Sequence, residues 1–381
     1  MKGVQRIESL FRTTVEAEPR YQSLGYLARW LLCPFQIICY RSAMRIVVIG
    51  GGTGTFSVLS GMRELDIPVT AIVSTADNGG STGQLRDELG VLPPGDIRQA
   101  LVALSEDGSV LRELFSYRFE EGTLKGHAFG NLFLSALEKV TGSFDQAVLE
   151  AGKVLNIKGE VIPVTTANVH LAARFTDGRL ITGEHQVDTA VWSELGSVEK
   201  IWLEPACQLH PQARRAILAA DLIVMGPGSI FTSLIPNLLV EGMQEALTTT
   251  KAPLVYISNL MTEKGHTGSF TVQDYAALMM EYLPARGLDY VVYNTQIADT
   301  ARLERYRKEM ERIPVQLARG SRAKLPYQLI GAKLLGAPKE KVKGSDPLAA
   351  QRTLIRHDPS VLAEVLRAIV LHRQIRKYFP R

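Results

Sequence analysis

Asp77-Asn78-Gly79-Gly80-Ser81-Thr82-Gly83 sets a carboxylate beside an amide, two hydroxyls and three glycines. Carboxylate oxygen suits magnesium, commonly where phosphates are also bound, so Asp77 is the candidate metal residue. Asn78, Ser81 and Thr82 offer neutral donors. Gly79 and Gly80 let the backbone approach a ligand, and Arg86 beyond them can reach a phosphate with two N–H groups. The competing reading is an Asx turn in a surface loop.

A second cluster precedes it. Arg45-Ile46-Val47-Val48-Ile49 runs into Gly50-Gly51-Gly52-Thr53-Gly54. A strand, a glycine turn and a helix expose backbone N–H groups at a helix N-terminus, a ready cradle for phosphate; a plain tight turn is the alternative. No lysine lies between Gly50 and Met62, so the P-loop is excluded. The dinucleotide spacing fails at Thr55 and at Ser57, and Ser74-Thr75 stands where a ribose-binding acid belongs. A nicotinamide cofactor is therefore disfavoured.

Further candidates follow in order. Asp96, in Pro93-Pro94-Gly95-Asp96-Ile97-Arg98, is read as the N-cap of the next helix, alone or with a ligand contact. Arg98 in that first turn opposes the helix dipole, which makes sense if it faces an anion. His127 and Asn131 are four residues apart on one helix face; the histidine reads as a structural group and Asn131 as the site candidate. Gly226-Pro227-Gly228-Ser229 repeats the strand-loop-helix cradle, with Ser229 as cap. Asn259 ends another strand, with Thr262, Glu263 and His266 in the loop beyond. Glu184 reads as a solvated surface acid.

Strands are expected over residues 46–49, 69–74, 221–225, 253–258 and 289–293, with helices over 56–65, 97–104, 127–140, 144–155 and 360–378. Residues 75–96 read as a polar loop, and 331–346 as another. Short β pieces between about 159 and 204 form an antiparallel excursion. The alternation predicts a Rossmann-like three-layer α/β/α fold with a mostly parallel sheet: one domain over residues 44–381, after an extension over 1–43.

The chain has 381 residues and a net charge of +4. The extension holds +3 of this, so the body carries no bulk charge that would favour nucleic acid. Its apolar stretch over residues 26–40 is interrupted by Arg29, Pro34 and Gln36 and is shorter than a spanning helix. It reads as a membrane-surface candidate, and Met44 as an alternative start. Cys33, Cys39 and Cys207 form no metal or disulfide pattern, which fits a reducing cytoplasm.

GGGTG, DNGGSTG, PPGDIR, GNL, GPGSIFTSLIPNLLV and NLMTEKGHT, in this order over Met44 to about His372, resemble the CofD-like superfamily. The closer resemblance is to its YvcK branch, the gluconeogenesis factors. It implies binding of a uridine-diphosphate sugar such as UDP-N-acetylglucosamine, and a role in cell shape and wall supply on gluconeogenic carbon. A sister branch, the 2-phospho-L-lactate transferases, implies magnesium and a nucleotide-linked donor over the same loops. Carried over, Gly51, Gly52, Thr53 and Gly54 meet the nucleotide. Asp77 and Asn78 become metal or reaction-centre residues, and Gly226, Gly228 and Ser229 hold phosphate. His266 replaces an acid of the family pattern. The expected partners are this nucleotide diphosphate, a second copy of the chain and a membrane surface reached through residues 1–43.

Overall fold

The structure is a computed structural model. It describes residues 44–378 apart from Asp66, Asp107, Ser109, Val191, Gly265, His266, Pro284, Glu311, 319–324 and 338–354. The expectations for residues 1–43 and for His266 therefore lie outside the described residues.

Seven strands form one parallel sheet: β1 (Ile46–Gly50), β2 (Val69–Val73), β3 (Glu160–Pro163), β7 (Leu222–Met225), β8 (Leu254–Ile257), β9 (Tyr290–Asn294) and β10 (Gln328–Ala332). Their spatial order is β10-β9-β8-β7-β1-β2-β3. The expected Rossmann-like class is the observed one. A second sheet of three antiparallel strands, β5-β4-β6, uses β4 (His170–Phe175), β5 (Leu180–Thr182) and β6 (Val198–Glu204).

Strands β1 and β7 are apolar at every position, as strands covered on both faces must be. Ile46 and Val48 of β1, with Leu222 and Val224 of β7, face one core; Val47, Ile49, Ile223 and Met225 face the other. The period of two thus divides each strand between two layers. Helix α1 (Gly52–Glu64), which follows β1, buries Val58, Leu59 and Met62 in the first core. The segment after β7 buries Ile230, Phe231, Leu234 and Ile235 in the second. The chain therefore leaves neighbouring parallel strands in opposite directions. A crevice opens at their carboxyl ends, the place where ligands bind in open sheets of this kind.

Three expectations need correction. Residues 160–163 were grouped with the antiparallel excursion; they pair in parallel with β2, Val161 opposite Ala71. The excursion proper is β4 to β6. Part of the 75–96 stretch is helical, as α2 (Gly80–Leu89), because Leu85 and Arg86 are buried and Gly90 ends it in the left-handed conformation. Residues 328–332 form β10, so the expected loop after 331 begins later. The helix that opens at Gly95, α3 (Gly95–Leu104), and the closing helix, α5 (Pro359–Tyr378), lie within two residues of expectation. Helix α4 (Phe129–Thr141) likewise starts two residues later than expected. Among the described residues no helix is long and apolar enough to cross a membrane.

Helix α5 lies directly on α1. A Cβ at Gly61 would stand 2.0 Å from the Pro359 carbonyl oxygen and 3.1 Å from the Ala363 Cβ. Gly61→Ala should therefore cost about 1–3 kcal/mol by overpacking, lowering Tm by about 1–4 °C for a chain of this size. Ser60→Ala removes a buried hydroxyl without a partner and should leave Tm unchanged or raised. Thermal melts of both variants check the contrast.

Candidate functional site

The crevice is a cleft of about 450 Å³ lined by the loops after β1, β2, β7 and β8. Gly51, Gly52, Thr53 and Gly54 form one part of its wall, and Pro227, Gly228 and Ser229 another. These loops touch. A Cβ at Gly54 would fall 2.1 Å from the Pro227 carbonyl oxygen, and one at Gly51 would fall 2.1 Å from Asp96 Oδ2. At Gly54 backbone occupies the side-chain space and glycine is required; at Gly51 a side chain would displace the Asp96 carboxylate.

Helix α1 has no side-chain cap of its own; Gly51 is its N-cap residue. The Asp96 carboxylate comes in from α3 and accepts the Gly52 backbone N–H. Asp96 was expected as the N-cap of α3, but Pro94 holds that place and Asp96 sits in the first turn. A carboxylate there complements the dipoles of both helices.

Asp77 also points inward. Its Oδ1 accepts the Gly79 N–H at 2.8 Å, which is the Asx turn, and it is bonded by the Thr82 hydroxyl. The turn and the site position coexist. Burial, and then the Asp77 charge, push the Asp96 carboxyl up to about 7. Burial raises Asp77 too, against the pull of Gly79, Thr82, His185 and Arg86.

On the far side of β7, Asn259 donates from Nδ2 to the Gly228 carbonyl at 3.0 Å, while its Oδ1 is shielded and without a hydrogen-bond partner. Ser229 was expected to cap the next helix. It occupies the N-cap position, but its hydroxyl donates to Glu263 Oε2 at 3.0 Å.

Several expected site residues lie elsewhere. Asn78 is spent on both sides of its amide: Nδ2 donates to Gln186 Oε1 at 2.9 Å, and Oδ1 accepts the His185 N–H at 2.8 Å. It ties the loop to the excursion and does not line the cleft. Ser81 accepts from Asn131 Nδ2 at 3.3 Å and shares a hydrogen bond of 3.0 Å with His127 Nδ1. Arg98 was expected to face an anion. It is buried, donating from Nε to Asn131 Oδ1 at 2.9 Å and from Nη1 to the Phe115 carbonyl. Arg86 likewise donates to the Val169 carbonyl at 2.6 Å rather than to the cleft. Gly79, Gly80, Thr82 and Gly226 shape the loops without lining the cleft.

Comparison with known proteins places the fold in a family. A family model described as 2-phospho-L-lactate transferase CofD matches residues 46–335. The chain belongs to the CofD-like family. It is 40% identical over 327 residues to a protein of Thermotoga maritima named "Putative gluconeogenesis factor", covering 86% of this chain and 99% of that one. A "Gluconeogenesis factor" of Halalkalibacterium halodurans is 41% identical over 268 residues, covering 69% and 81%. A crystal structure of a UPF0052 family member from Bacillus halodurans superposes with a TM-score of 0.77 at 34% identity, covering 85% of this chain and 99% of that one.

The CofD-like cleft also holds residues that sequence reasoning missed or misread. Glu184 was read as a solvated surface acid. It stands at the start of a short helix, Glu184–Thr189, lines the cleft, bonds the Thr232 hydroxyl, and is raised well above the usual carboxylate range by burial and then by the charges of Asp77, Asp188 and Asp96. Asp188, on the same helix, and Arg312 line it as well. Glu263 is pushed up to about 7 by burial and the Asp188 charge, against the pull of Arg312 and Ser229. His357, its Nε2 3.2 Å from the Ser258 carbonyl, is driven down to about 4 by burial and is neutral at pH 7. Only Glu263 carried a signal, its place beyond a strand's carboxyl end.

An acid raised on folding keeps a proton that the unfolded chain has already released. Ionising Asp96 and Glu263 therefore costs stability, fully above about pH 7, and the cost disappears as pH falls to the ordinary carboxylate range. The double variant Asp96→Asn, Glu263→Gln should raise Tm at pH 8 by about 3 °C more than it does at pH 5. Equal shifts at both pH values would contradict the assignment.

Proposed function

We propose that this chain is a cytoplasmic regulatory protein that binds a nucleotide sugar of the UDP-N-acetylglucosamine kind, and that it serves cell shape and wall supply during gluconeogenic growth. The observation that carries the reading is the meeting of two glycine loops, Gly51–Gly54 and Pro227–Ser229, at the crevice where the crossovers change face. Two adjacent backbone cradles suit a diphosphate better than a single phosphate. The names of the relatives support the biological half of the reading.

A divalent cation fits this site. Burial raises the proton affinity of both Asp77 and Asp96 beside the cradle, and the Asp77 charge raises Asp96 further, which is the electrostatic strain that a cation relieves. Among the described residues no group of three or more His, Cys, Asp or Glu side chains is arranged to hold a metal. Magnesium usually takes one or two carboxylates and completes its shell with phosphate oxygens and water. Asp77 and Asp96 would hold the ion, and the ion would neutralise diphosphate charge. The chain's own part is to present the backbone of the Gly51–Gly54 and Pro227–Ser229 loops to the ligand.

A second reading has a specific observation behind it. Asp96 and Glu263 at about 7 have the proton affinity of a general base at neutral pH. Combined with the family match, this supports a magnesium-dependent transferase of the 2-phospho-L-lactate type, where positioning and charge neutralisation supply most of the rate.

Calorimetry separates the readings. UDP-N-acetylglucosamine with magnesium should bind, a chelator should weaken binding, and Thr53→Ala or Asp77→Asn should weaken it at least about tenfold, the scale of one or two lost charge-assisted contacts. Absence of heat with both UDP and the sugar nucleotide would overturn the first reading. Product from a phospholactyl donor and a deazaflavin acceptor would establish the second.

A further inference from the structure

A larger groove lies away from the cleft and shares no lining residue with it. It measures about 720 Å³ and runs along β3 to the amino ends of β2 and β1, where Thr70 and Arg45 line it. β3 is the last strand of its sheet and pairs with β2 on one side only. One wall is the helix Phe144–Val154, whose Val148 packs in the first core. The other is the helix Pro211–Ala219, whose Ile217 packs in the second. The groove therefore opens between the two helical layers, at the edge of the sheet.

The backbone of β3 gives this groove its chemistry. The Val164 N–H donates to the Val73 carbonyl at 2.8 Å, so the even positions serve β2. Alternation along the strand turns the backbone groups of Val161 and Pro163 the other way, toward the groove that both residues line. Such an edge is a template for one more strand. Proline removes one donor, which leaves the Val161 N–H and the carbonyls of Val161 and Pro163. The walls beside it are apolar or small: Leu149, 53% exposed, on one, and Ala216 and Ala219 on the other.

The part of the chain that reaches this place is its own extension. Residues 1–43 join the described structure at Met44, next to Arg45 of the groove. Phe35-Gln36-Ile37-Ile38-Cys39 is a short apolar run with aromatic and β-branched residues, bounded by Pro34. Strands stand about 5 Å apart, so a lane beyond β3 is about 14 Å from β1. The link from Cys39 to Met44 reaches up to about 17 Å when extended. It must return to the amino ends of the parallel strands, so the run would lie antiparallel to β3, an arrangement common at the edge of parallel sheets. A run apolar on both faces suits a lane walled on both faces.

We propose that the groove beside β3 is the docking site of Phe35–Cys39 of the same chain, added as an antiparallel strand to the Val161–Pro163 edge. Docking covers this apolar run with protein instead of a membrane surface. The inference does not depend on the nucleotide-sugar reading.

The test is disulfide trapping on the full chain, with Cys39 as the native probe and Cys33→Ser removing the neighbouring thiol. Docking brings Cys39 to one of the two walls. Either Leu149→Cys or Ala216→Cys should then cross-link to it under air oxidation at least about tenfold faster than Val110→Cys, an exposed position on another helix. Ile37→Asp with Ile38→Asp, changes made in the segment alone, should bring the cross-link down to the Val110→Cys rate. The same pair should speed hydrogen exchange at the Val161 amide at least about tenfold. If neither wall position cross-links faster than Val110→Cys, or if Val161 exchange ignores the segment variant, the proposal falls. It falls too if the bonds form between chains, which makes a second copy the occupant. Sedimentation with anionic vesicles that the segment variant abolishes would likewise overturn it, since a membrane surface then takes the run.

Discussion

The change of face between β1 and β7 governs the molecule. Both strands are apolar throughout and lie side by side in parallel, so neither can turn back on its own edge. Each must send its chain over one face of the sheet, and the two chains go opposite ways, α1 into one core and the segment after β7 into the other. The gap left at their carboxyl ends cannot be filled by packing from either layer. It is bounded by loops and helix starts, the kind of place where backbone N–H groups favour negative charge.

That geometry also explains the electrostatics. A helix start lined by glycines has no side chain to satisfy its own donors, so Asp96 is drawn in from a neighbouring helix to accept the Gly52 N–H. Asp77 is held nearby by its Asx turn and by Thr82. Two carboxyl groups then share a shut-in space, and both become reluctant to ionise. On the proposed reading, a divalent cation held by these two carboxylates would relieve that reluctance. A binding protein and a transferase would use such a cradle and acid pair in the same way, so the fold and loops alone do not separate regulation from turnover.

Much of this was legible in the residues. The strand-glycine-helix sequence at Gly50–Gly54, its repeat at Gly226–Ser229 and the acid at Asp77 are local patterns, and their positions in the cleft follow once the sheet is assumed. What escaped depends on long-range contact. Arg98 and Asn131 looked like ligand residues because they are polar and near a glycine motif, but they hydrogen-bond to each other inside the protein. Asn78 is diverted by an excursion that begins about a hundred residues later. Glu184 looked solvated because nothing near it in the chain shows that its helix is carried over the cleft. Strand β3 was misplaced because a four-residue apolar piece reads the same in a parallel edge and in an antiparallel sheet.

The most direct measurement is a crystal structure of the chain with UDP-N-acetylglucosamine and magnesium. The account predicts the diphosphate between the Gly51–Thr53 and Gly228–Ser229 backbone, with the metal on Asp77 and Asp96. A nucleotide seated elsewhere, or phosphates turned away from both glycine loops, would contradict it.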